Sequence, residues 1–220
     1  MGILTSLMGW GSPIENEKNK SYKEVEKSWI GFRGAINTDE VLIEKAKALA
    51  LVLVALIHES TKSLFEELKK DKGIKIEDRK FVEVFFESAL FYLSVIDRVA
   101  FKTLGADKGS VFAKALFIEF SESLAKTYES DVESARFRSA FEENYTMRRQ
   151  EYAGYKKLFP DKNDKNMNDT LLGKFGKQIV EVLGSKKDIA EDFLITTSVD
   201  IRTMYFIAAL DLVTLFSEQN

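Results

Sequence analysis

Apolar residues recur three and four positions apart through most of the chain beyond residue 37, the spacing that gathers them on one face of an α-helix. Six helices are predicted from that period and from the residues that start and stop it. The first begins between Thr38 and Glu40 and runs to about Lys70, with Gly73 as its stop. The second runs from about Glu77 to Leu104 and is closed by Gly105, and the third spans about Ser110 to Glu129. Ser130-Asp131-Val132-Glu133 has the form of a capping box and opens a fourth, which continues to about Phe159 before Pro160. A fifth covers about Thr170 to Leu183 and stops at Gly184. Ser185-Lys186-Lys187-Asp188 then opens a last helix that reaches about Ser217.

Runs of alternating apolar and polar residues are absent, so no sheet is expected, and the two halves share no repeat. Short links at 71–76, 105–109 and 184–187 favour antiparallel neighbours. The fold class is therefore all-α: an irregular bundle of five to six long, mostly antiparallel helices, with residues 38–220 as a single domain. Residues 1–37 are Gly-rich and aperiodic, hold both Trp10 and Trp29, and are expected to form an N-terminal arm with at most a short helix.

Helical wheels refine the picture. On the second helix Glu83, Glu87, Ser94, Asp97 and Arg98 fall within about 100° of one another, and apolar side chains cover most of the remainder. On the last helix Thr196, Asp200, Thr203 and Asp211 share one stripe. These wide apolar arcs nominate helices one, two and six for the centre, with three and four flanking. Arg202 falls among Ile195, Phe206, Ala209 and Val213, on the apolar face. A guanidinium cannot shed its charge there, so it needs a carboxylate partner or an exit to water, and Glu87 or Asp97 is the expected partner.

Composition narrows the chemistry. A formal net charge of −3 offers no basic excess for nucleic acid. The absence of cysteine removes thiolate nucleophiles, cysteine-held zinc and iron–sulfur clusters, and it fits a cytoplasmic location. One histidine, His58, precludes paired-histidine metal sites within a chain, and it falls on the polar side of helix one. The longest apolar run, Ala48 to Ile57, is half of what a membrane span needs and reads as a helix segment buried on all sides. The 17 Phe against 2 Trp and 7 Tyr point to core filling, because Phe has no polar atom to satisfy.

Helix four carries Phe137, Phe141, Tyr145, Tyr152, Tyr155 and Phe159 close to one face among basic residues. Acids in the same helix nearly cancel the charge, so this face is core and not a single-strand platform. The polar loop after Asp161 resembles a calcium loop from Asp164, but it has Asp169 where glycine is required and Phe175 where a bidentate Glu is required. No metal and no cofactor are expected. The plain reading of Glu83, Glu87, Asp97 and Arg98 is a solvated stripe with some ion pairing. Its alternative, with Arg202 added, is a carboxylate- and arginine-lined pocket between the central helices of an enzyme or small-molecule binder. The apolar arcs instead favour a non-catalytic helical protein that acts by association, as a dimer or other homo-oligomer or with a protein partner.

Overall fold

Where the helices begin and end follows from local chemistry. α1 (Asp39–Glu66) opens on Asp39 and Glu40, whose charges face the positive end of the helix dipole. It closes in one wide turn, Glu67–Asp71, with i→i+5 geometry. The Ile74 amide then donates to the Leu68 carbonyl at 2.9 Å and folds the connection back. α2 (Lys80–Leu104) passes into α3 (Ala106–Ala125) through Gly105 alone, at φ 81° and ψ 178°. That backbone region is open to glycine and closed to most residues, so a one-residue reversal is available here and α3 starts four positions before the expected Ser110. α4 (Asp131–Ala153) ends six residues short of Phe159; a turn follows, and the Lys157 carbonyl accepts from the Leu171 amide at 3.0 Å. α5 (Leu171–Leu183) is capped by the Thr170 hydroxyl, which accepts from the Gly173 amide at 3.1 Å, and is closed by Gly184 in the left-handed region. α6 (Ile189–Leu210) completes the set.

The structure is a computed structural model. It describes residues 39–71, 73–77, 79–126, 131–160, 169–184 and 189–210, together with Phe216. The chain divides into Met1–Ala35 with Gln219–Asn220, and Ile36–Glu218, and every described residue belongs to the second unit. The expected arm at 1–37, the capping residues at Ser130 and 185–188, and the polar loop at 161–168 lie outside the described residues. Among the described residues the chain is an all-α bundle of six helices without strands. None of these helices is long and apolar enough to cross a membrane.

α2 is the hub. It packs on α1, α3, α4 and α5, and Tyr92 stacks on Phe206 of α6 with ring centroids 3.7 Å apart. Phe91, wholly buried, stacks on Phe175 of α5 at 4.1 Å and meets Tyr152 of α4 edge-on at 6.2 Å. α3 is central as well. Its most extensive partner is α1, and Phe117 stacks on Tyr145 of α4 at 4.5 Å. The expected ranking is corrected on this point: α3 lies within the bundle, and α6 packs mainly on α5 with an outer face left open. Buried alanines on α1 (Ala46, Ala50) and α3 (Ala113) favour close approach of those two helices. α6 has apolar residues on more of its circumference than one neighbour covers.

The run Ala48 to Ile57 is likewise not enclosed on all sides. Leu49, Ala50, Leu53, Leu56 and Ile57 are buried, whereas Leu51 is 59% exposed and Ala55 faces solvent. The run belongs to an amphipathic helix whose outer positions happen to be aliphatic.

Candidate functional site

The polar seam of α2 faces α4, not solvent, over most of its length. Glu87 is gripped by the Arg148 guanidinium in two parallel hydrogen bonds, at 2.7 and 3.1 Å. The same guanidinium donates to Glu151 at 2.7 Å, and Lys174 of α5 reaches Glu151 at 2.7 Å. Gln178 of α5 donates to Glu151 at 3.3 Å and accepts from the Tyr152 hydroxyl. Two acids and two bases from α2, α4 and α5 therefore neutralise one another. Burial works to raise the Glu151 carboxyl, but Lys174 and Arg148 hold it below the ordinary value. Burial also works against the charged form of Arg148, and Glu87 and Glu151 more than offset it, raising its pKa further.

Asp97 lies three turns on, with its side chain 7% exposed. It accepts from the Tyr145 hydroxyl at 3.0 Å and from Arg149 at 3.0 Å. Desolvation pushes its carboxyl up despite Arg149 and Tyr145, and burial, with the Asp97 charge added, pushes the Tyr145 hydroxyl far above its usual range. Arg98 has a structural use. It donates to the Tyr155 carbonyl at 2.7 Å and to the Tyr152 carbonyl, which also accepts from the Tyr155 amide at 3.0 Å where α4 ends. An arginine of one helix thus caps the C-terminus of another, which is also where the helix dipole favours a cation. Glu83 stands apart, half exposed, and pairs with Lys80 at 2.8 Å. The structure therefore gathers Glu87, Asp97 and Arg98 on one part-buried seam with α4 and leaves Glu83 outside it.

Arg202 is part-buried and paired, but with neither expected acid. Its guanidinium donates to Glu67 at 2.6 Å and to the Ser63 carbonyl at 2.9 Å, with side chains 15% and 26% exposed for Arg202 and Glu67. Ser198 adds a hydrogen bond to Glu67 at 2.7 Å. Glu87 and Asp97 are taken by Arg148 and Arg149, which the seam reading left out. A signal for Glu67 was present: on the wheel of helix one it falls with Leu49, Leu53 and Leu56, the same misplacement that marked Arg202. Removing the acid strands a cation whose Nε already lacks a partner. Glu67→Leu is therefore expected to cost about 2–3 kcal/mol and Arg202→Met no more than about 1 kcal/mol. Equal losses in urea unfolding would contradict that asymmetry.

α6 carries its polar stripe inward and much of its apolar surface outward. Thr203 and Ser198 are buried, and Thr203 meets the Tyr92 hydroxyl at 3.5 Å. Asp200 lies beside Gly176 of α5, where an added Cβ would come within 2.9 Å of the Thr196 methyl. Asp200 Oδ1 has no hydrogen-bond partner, and desolvation pushes its carboxyl up to about 7. The folded state therefore keeps a proton that the unfolded chain releases near pH 4. Stability should fall as pH rises from about 4 to about 7 on this account. Asp200→Asn should remove that slope, leaving the variant about 1–2 kcal/mol more stable than the parent at pH 8, after allowance for solvent screening, and no more stable at pH 3. Denaturant unfolding at both pH values measures the difference, and an equal gain at pH 3 would assign it to packing.

On the outer side Ile189 is 86%, Phe193 68%, Ile201 50% and Tyr205 65% exposed. Uncovered apolar surface was expected from the wide arc of this helix, and it lies on the side away from the buried Ile195 and Phe206. Elsewhere, His58 is exposed beside Glu59 and meets Phe81 edge-on at 5.3 Å, at the rim of an open cleft of about 490 Å³ that also holds Lys62, Phe65 and Lys69. Among the described residues no cluster of three or more His, Asp or Glu is arranged to hold a metal ion. No family model matches the chain, and no curated protein or solved structure matches it.

Proposed function

We propose that this chain is a non-catalytic helical protein that works by association, with the outer face of α6 as the surface that meets a protein partner. The observation that carries the reading is the exposure of Phe193, Ile201 and Tyr205 along one helix. Exposed large apolar side chains gathered on one helix mark an interaction surface more often than scattered single ones do. The polar seam supports the same reading from the other side. Glu87, Asp97 and Arg98 are engaged with Arg148, Arg149, Tyr145 and the end of α4, and they fasten helices together. Native mass spectrometry of freshly purified full-length protein tests the proposal, since it reports subunits and retained small molecules together. An assembled species is the expected result. A monomer that carries a small molecule would favour a ligand-binding role instead.

A further inference from the structure

We propose that the partner is a second copy of this chain, packed antiparallel through α6 about a two-fold axis at Thr197; this rests on the association reading above. Ile189, Phe193, Thr197, Ile201 and Tyr205 are spaced by four, a row that winds about 40° per step, so Phe193, Thr197 and Ile201 share one face and Ile189 and Tyr205 lie at its two flanks. Thr197, the smallest member, stands in the middle of the row, with one aliphatic and one aromatic residue on each side. A two-fold at Thr197 sets Phe193 against Ile201 of the partner copy, with Ile189 and Tyr205 at the rim of the contact. The smallest side chain then sits at the closest approach. A surface that is its own complement in this way is what an isologous dimer requires.

Charge selects the pairing and its direction. None of these side chains is charged, and Arg202, the one base of α6, is already bound to Glu67. Nothing on the face would steer or hold a charged partner, and nothing on it repels its own copy. Two of the three acids of α6, Glu191 and Asp192, lie in its first turn, and the third, Asp200, lies beside Gly176 of α5. Parallel pairing would set them beside their own copies and align the two helix dipoles, whereas antiparallel pairing separates the acids and opposes the dipoles. Size agrees: with the exposures above, the four large side chains present about 600 Å² per subunit, against about 800 Å² for a standard interface. That predicts a dimer of modest strength, in exchange with monomer at micromolar concentration.

The chain has no cysteine, so a single introduced thiol reports cleanly. Thr197→Cys, oxidised with excess oxidised glutathione, should give a covalent dimer in high yield, because each thiol meets its own copy across the axis. Met147→Cys, exposed on α4, should not. In sedimentation velocity of the otherwise unaltered chain, Phe193→Asp should weaken dimerisation at least tenfold while leaving the melting temperature of the dilute monomer unchanged. A dimer untouched by Phe193→Asp would overturn the proposal and place the interface elsewhere. A monomer at high concentration with no Thr197→Cys cross-link would overturn the second copy. Two further results then judge the association reading separately. If native mass spectrometry finds a different chain bound and Phe193→Asp releases it, that reading stands without the dimer. If Phe193→Asp instead lowers the melting temperature of the monomer, the face is covered from within the chain and both fail.

Discussion

Arg148→Met should lower the stability of the fold by about 2–4 kcal/mol, although it deletes a charge from a part-buried position. The guanidinium serves Glu87 and Glu151 at once, so its loss leaves one carboxylate of α2 without a cation and the other with Lys174 alone. Breaking a buried pair from one side costs about 3–5 kcal/mol, and the partial exposure of this pair reduces that figure. Adding Glu87→Gln should recover a substantial part of the loss, because the stranded charge is then gone; the double-mutant cycle measures the coupling directly. Urea unfolding followed by circular dichroism is the measurement. A single-variant loss below about 0.5 kcal/mol would show that the network is surface decoration.

The other large effect is expected in α1. Leu53→Ala should cost about 2–5 kcal/mol, since Leu53 is wholly buried and its neighbours cannot collapse fully into the space it leaves. Leu51→Ala, two residues away and 59% exposed, should cost less than about 0.5 kcal/mol. Equal costs at both sites would mean that the outer side of α1 is covered in solution, and α1 would join α6 as a candidate interface.

Much of the fold could be read along the chain. Six helices were expected and six stand among the described residues, because burying one face against neighbours demands the 3.6-residue period whatever the neighbours are. Gly105 and Gly184 closed the helices they were expected to close, since the chain must leave a helix through backbone angles that other residues avoid. The misses, at the start of α3 and the end of α4, depended on a one-residue turn and on a cap supplied by Arg98 from another helix.

What tertiary structure decided was which charge meets which, and which face of a helix is covered. Arg202 was legible as a cation needing a partner, but Glu67 lies 135 residues earlier, and only the mutual rotation of α1 and α6 brings them together. The Glu87–Arg148 and Asp97–Arg149 pairs are unreadable for the same reason: spacing rules within a helix say nothing of a second helix. α6 shows the limit most clearly. Its two sides both carry apolar residues, so its own pattern leaves two orientations open. The one adopted buries Ile195, Val199 and Phe206 at the cost of desolvating Asp200, and turns Phe193, Ile201 and Tyr205 outward. The period that forms a helix is a property of its own residues, whereas the face it buries is settled by the surface it meets.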